Sequence, residues 1–144
     1  MKILINEGFP ETQIIINCNS ANDEILKMVS ILRSFDNKLT GLKDGKTYII
    51  DSSNVFYFES VDKQSFIYTA NDVYEAALKL YEIEERLSGA GFFRNSKSQI
   101  INISKILSLR PDFGSRIEVS LQNGEKIIVS RQYAKNLKER LGLK

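Results

Sequence analysis

The amino-acid sequence predicts a mainly β fold with a few helices (α+β), on three observations. From Gly45 onward the runs KTYIID, NVFYFESV and QSFIYTA, rich in β-branched and aromatic residues, are separated by the short turn segments SSN and DK. Further on, RIEVSLQNGEKIIVS places two alternating runs around Asn123-Gly124, a dipeptide that favours hairpin turns. Helical spacing is confined to three short stretches. A chain of 144 residues, 42% apolar and 26% charged, with a mean hydropathy of -0.22, builds one core of this kind and not two.

Each element follows in chain order. Residues 12–18, TQIIINC, form an isoleucine-rich run that reads as a buried strand. Asn22 or Ser20 then caps a helix with Asp23 and Glu24 in its first turn and Ile25, Met28, Val29, Leu32 and Phe35 at helical spacing. Residues 36–45 carry the turn signals DN, TG and DG and read as a joint. The chain is therefore divided into an N-terminal strand-helix extension, 1–44, and a main domain, 45–144. After the three strands, residues 73–87 read as a helix with Val73, Ala76, Ala77, Leu80, Ile83 and Leu87 on one stripe, ended by Gly89 and Gly91. FFRNSKSQIINISKILSLRPD reads as a basic loop followed by a strand or short turn. The hairpin comes next, and RQYAKNLKERLGLK closes the chain as a short basic helix.

Composition narrows the chemistry. The single cysteine, Cys18, excludes an intramolecular disulfide and any four-cysteine metal site. With no histidine, the usual zinc sites, nucleophile–histidine pairs and histidine general bases are absent. The GAG around Ala90 lacks the lysine and hydroxyl residue of a phosphate loop and reads as a helix cap. Glu82, Glu84 and Glu85 read as a solvated helix face rather than a cation site, and Asp51, Glu59 and Asp62 lie on separate strands and turns. No enzyme activity, cofactor or small-molecule substrate is expected. No run approaches the roughly 20 apolar residues of a spanning helix, and MKILINEGFPETQ lacks the build of a signal peptide, so a cytoplasmic protein is expected.

The net charge of +2 conceals a segregation. Residues 1–44 hold 5 basic and 6 acidic groups, residues 45–90 hold 4 and 8, and residues 91–144 hold 11 and 4. A basic last third fits a polyanion-binding surface. On the closing helix Arg131, Lys135 and Lys138 share one face, which reads either as a binding face or as solubilising charge, while Tyr133 and Leu137 share another. RNSKS, five polar residues with two cations between FF and an apolar run, reads as an exposed tip whose side chains reach phosphates or base edges.

These residues resemble a known family. NVFYFESVDKQSFIYT, a helix ending in EERL, FFRNSKSQIINISKI with its strand ending at Asn102, and NGEKIIVSRQYAKNLKERL are together similar to the LytTR DNA-binding domain of bacterial transcription regulators, over about residues 45 to 142. The resemblance implies a fold of about ten short strands with loops entering successive DNA major grooves, and double-stranded DNA as the partner. Carried over by position, it implies contacts at Ser65 with Lys63 and Gln64 beside it, at Lys97 with Arg94, Asn95, Ser96 and Ser98, and at Arg131 with Gln132. Arg131 is assigned to a base, and Lys63, Arg94 and Lys97 mainly to phosphates. Many members have histidine at the position of Ser96, and some at that of Ser65; serine reaches less far.

Forty-four residues cannot hold the receiver domain that precedes many members. The extension instead resembles the N-terminal element of stand-alone members, whose context implies a membrane-protein regulator. It reads either as a completion of the core or as a homodimer contact through Ile25, Val29, Leu32 and Phe35. The rival to a DNA-binding regulator is a protein-interaction module whose basic face meets an acidic partner.

Overall fold

The computed structural model describes residues 1–87 and 89–143, without the side chains of 33–36. The first helix, α1 (Asp23–Asp36), starts where its cap predicts: Asn22 Oδ1 accepts the Ile25 amide at 3.1 Å. The strand expected at 12–18 is absent. Ile14 and Ile15 are 65% and 75% exposed, and no strand pairs with this run. Isoleucine content favours a pleated surface, but a strand exists only where a neighbour takes up its backbone hydrogen bonds.

The segment read as a joint is itself structured. It contains β1 (Lys38–Lys43), which forms a hairpin with β2 (Lys46–Asp51). Asp44 and Gly45 between them both adopt positive φ, 51° and 74°, as the twist of a two-residue hairpin demands. Gly41 in β1 has no room for a side chain, because a Cβ there lies 2.6 Å from both Ile50 Cδ1 and Tyr74 Cβ. At the end of β2, the Asp51 carboxylate accepts from the Ser53 amide and hydroxyl and pairs with Lys38 at 3.0 Å. These contacts hold its pKa down to about 2.

The predicted strands follow as β3 (Val55–Val61) and β4 (Gln64–Thr69). The helix expected over 73–87 is divided. Val73–Ala76 is a strand, β5, paired with β4 on one side and β1 on the other, and α2 covers only Leu80–Arg86. An open sheet position flanked by two strands outweighs the helix propensity of four residues. The chain continues through β6 (Phe92–Ser96), β7 (Gln99–Asn102), β8 (Ile106–Pro111), β9 (Ile117–Leu121), β10 (Lys126–Val129) and α3 (Arg131–Arg140). The described residues thus form ten strands and three α-helices: a mainly β fold. One antiparallel sheet runs β2-β1-β5-β4-β3-β7-β6, and a second runs β10-β9-β8.

The single core expected from the chain's size is divided by the large sheet into two, one on each of its faces. Successive residues alternate between them, Phe92 and Ile100 to one side, Phe93 and Ile101 to the other, as a strand covered on both faces requires. On the first side Leu80 and Ile83 of α2 and Leu87, which caps its end, pack against Phe58 and Ile67. On the second, the small sheet contributes Val119, Leu121 and Val129 and α3 contributes Ala134 and Leu137. Asn102, 3% exposed, ties the end of β7 to β3 and to the turn that follows it. Its Nδ2 donates to the Val55 carbonyl at 2.8 Å, and its Oδ1 accepts from the Ser104 amide at 3.0 Å and hydroxyl at 2.8 Å.

No described residue of α1 belongs to either core. Ile25, Val29 and Leu32 are half-buried and the Phe35 side chain lies outside the described residues.

Candidate nucleic-acid interface

Two tips emerge from the same end of the large sheet. The register pairs Glu59 with Gln99, and the Ser60 amide donates to the Ser98 carbonyl at 2.8 Å, so the β3–β4 and β6–β7 turns lie side by side. In the first, Asp62 and Lys63 both hold positive φ, 51° and 68°. Neither is glycine, so the turn is a strained one that fixes where the Lys63 side chain leaves the backbone. Lys63 and Gln64 are exposed; the Gln64 amide donates to Glu75.

The second tip is shorter than the sequence suggests. Strand β6 runs through Ser96, so of RNSKS only Lys97 and Ser98 are fully exposed. Ser96 Oγ accepts the Ser98 amide at 3.2 Å and tightens the turn. Arg94 braces it from below: Nε donates to the Ser96 carbonyl at 2.8 Å, Nη2 to the Lys97 carbonyl, and Nη1 pairs with Glu84 at 2.7 Å. All three nitrogens of Arg94, which the family resemblance assigns to phosphate, are engaged within the chain. Glu84, read from sequence as part of a solvated face, is the partner that spacing alone does not reveal.

Two of the expected contact positions are buried. Ser65 is 4% exposed and lies inside the sheet, paired with Ser60 and Ala76. Asn95 is fully buried at a register shift in β6; its amide donates to Gln99 Oε1 at 2.7 Å, and Gln99 donates on to Glu59 at 3.3 Å. Strand pairing turns both side chains away from solvent.

Arg131 stands elsewhere, at the first position of α3, directly after β10 leaves the small sheet. Arg131 and Gln132 are exposed, and so are Lys135 and Lys138, opposite the buried Ala134 and Leu137. The helix lies against β6: Tyr133, Asn136 and Arg140 share a cleft with Phe92, Phe93 and Arg94. Among the described residues Lys63, Lys97 and Arg131 have no side-chain hydrogen bond or ion pair, unlike Lys38, Arg110 and Arg116. Unneutralised cations on turns anchored to two rigid sheets suit a polyanion. No group of three or more acidic, cysteine or histidine side chains able to hold a metal occurs among the described residues, and no described helix is long and apolar enough to cross a membrane.

Comparison with known proteins agrees with this geometry. Residues 45–142 match the LytTr DNA-binding domain family. HTH-type transcriptional regulators of Staphylococcus aureus strains NCTC 8325 / PS 47 and MSSA476 are each 30% identical over 145 residues, covering 99% of this chain and 98% of theirs. A solved LytTr DNA-binding domain from Bacillus cereus superposes with a TM-score of 0.70 at 28% identity, covering 74% of this chain and 98% of its own. With strands separating all three described helices, a β scaffold carrying basic turns, and a family match over two thirds of its length, the chain belongs to the LytTR family of DNA-binding domains.

Proposed function

We propose that this protein is a sequence-specific duplex-DNA-binding transcription regulator, not an enzyme, that works in the cytoplasm and reads major grooves with turn residues. The observation that carries it is the set of three unpaired cations, Lys63, Lys97 and Arg131, each at a strand turn or the first turn of a helix. Lys63 and Lys97 are assigned to phosphates and Arg131 to a base; Gln64, Ser96, Ser98 and Gln132 flank them and complete the contact surface.

Anisotropy on a pool of random fluorescent duplexes, titrated with salt, tests the reading. Log affinity is expected to fall against log salt with a slope of about -4 to -7, from roughly five to eight displaced counterions. Lys97→Ala should weaken binding to every sequence and reduce the slope by about 1. No binding at low salt would overturn the reading and favour an acidic protein as the partner of the basic face.

The extension is assigned to homodimer contact. Leu26 is 57% exposed, and Ile25 and Val29 are only half-buried, on a helix that joins neither core, a face that a second copy would cover. A dimer by sedimentation, reduced to monomer by Val29→Glu, is expected; a monomer at high concentration rejects the assignment. The membrane-protein regulator implied by the family resemblance is assigned to the same extension.

A further inference from the structure

The turn between β8 and β9 is the most conspicuous feature that the reading above leaves unused. It carries Phe113, 87% exposed, on a backbone with little freedom. The Asp112 amide donates to the Arg116 carbonyl at 2.9 Å, Arg116 Nε donates to the Phe113 carbonyl at 3.0 Å, and Arg116 pairs with Asp112 at 3.2 Å. Gly114 and Ser115 hold positive φ, 67° and 63°. A solvent-exposed phenyl ring is common on a loose loop, but here these contacts and two left-handed residues hold it outward.

Topology places this turn beside Arg131. Ile117 opens β9 opposite Pro111 of β8 and opposite Val129 of β10, and Arg131 follows two residues after Val129. The 112–116 turn and the start of α3 therefore leave the small sheet at the same end, and the turn abuts α3. The charge around the ring also fits. Asp112 is neutralised by Arg116, so no free carboxylate on the turn opposes a phosphate, and Arg131 and Lys135 on α3 are unpaired among the described residues.

Resting on the DNA-binding reading, we propose that the β8–β9 turn is a further contact element, in which Phe113 presses as an apolar wedge against the duplex beside the groove that Arg131 enters. An aromatic ring gains there by covering sugar and base-edge carbon without displacing a counterion. This sets it apart from every cationic contact, because its loss lowers affinity without changing the salt dependence.

The chain contains no tryptophan, so Phe113→Trp places a single reporter on the turn. With the full-length protein and the duplex pool, three results are expected. Phe113→Ala binds about tenfold more weakly at every salt concentration, with the parent slope. Phe113→Trp keeps near-parent affinity, and its emission shifts and is quenched on titration with duplex. Tyr81→Trp, at a position 64% exposed on α2 across the large sheet, shows no such change. The inference is overturned if the parent binds duplex while Phe113→Ala binds equally well and the indole emission of Phe113→Trp stays constant; the DNA-binding reading then stands. If the parent binds no duplex, that reading fails and this inference falls with it. An emission change in Phe113→Trp that appears with an acidic protein but not with duplex also overturns it.

Discussion

Arg131→Ala is expected to lower the ratio of specific to non-specific DNA affinity about ten- to a hundredfold, the discrimination that one good bidentate base contact supplies. The expectation rests on position as much as on charge. Arg131 is the first residue of a helix whose other side, Ala134 and Leu137, is locked into the core, so its guanidinium leaves the protein from a fixed point. It is exposed and, among the described residues, free of partners, so truncation breaks no internal ion pair and leaves stability close to that of the parent. A planar fork meets guanine O6 and N7 together, which an ammonium cannot, so Arg131→Lys should keep much of the non-specific affinity while losing most of the discrimination. Competition binding against a selected operator and a scrambled duplex measures both terms. An unchanged ratio in Arg131→Ala rejects the base contact and reassigns Arg131 to the backbone.

The proposed role of Lys97 differs from that of Arg131. Lys97 stands on a turn shaped by Arg94 and Ser96, and as a point charge on a phosphate its loss is expected to move all sequences together. Arg94, which the family resemblance places among the contacts, also holds the carbonyls of that turn.

The sequence makes legible what local pattern determines. The runs that became β3 and β4 are dense in β-branched and aromatic residues because both faces of their part of the sheet are covered, and the closing helix announces itself through the spacing of Tyr133 and Leu137. Asn123-Gly124 marks the hairpin correctly, although the loop is longer than two residues: the Leu121 amide reaches the Glu125 carbonyl and Asn123 Oδ1 accepts the Glu125 amide. What depends on a distant partner is not legible. Val73–Ala76 has the composition of a helix and becomes a strand because β1 and β4 leave a gap between them, while residues 12–18 have the composition of a strand and find no neighbour. The same holds in the candidate site. Lys63, Lys97 and Arg131 are exposed as their turn and helix-start positions suggest, whereas the burial of Ser65 and Asn95 is fixed by cross-strand pairing and by the layer packed on it.

Asn102→Ala should be among the most destabilising single changes away from the apolar cores, at about 2 to 4 kcal/mol. The side chain makes three hydrogen bonds at the junction between the end of β7 and the 3-10 turn at Ile103–Lys105, and all three are lost together. Alanine leaves the Val55 carbonyl and the Ser104 amide with no partner in a site that is 3% exposed, so the cost is that of burying unsatisfied polar groups. For a chain of this length the midpoint of thermal unfolding should fall by about 10 °C, while below the transition the duplex affinity of the folded protein is unchanged, since Asn102 is buried and remote from solvent. Asn102→Asp gives the sharper test. The carboxylate still accepts from Ser104, which favours its ionised form, but it faces the Val55 carbonyl without a proton to donate, and that repulsion together with burial is expected to raise its pKa above the ordinary value near 4. A group whose folded pKa is raised contributes stability that is present below its unfolded pKa and lost as pH rises through the folded one. Asn102→Asp should therefore lie nearest the parent at about pH 4 and fall away from it toward neutrality, whereas Asn102→Ala should show a constant deficit across that range. Parallel pH profiles for the two variants would show that the Val55 hydrogen bond contributes little, and that the loss in Asn102→Ala comes from the Ser104 cap.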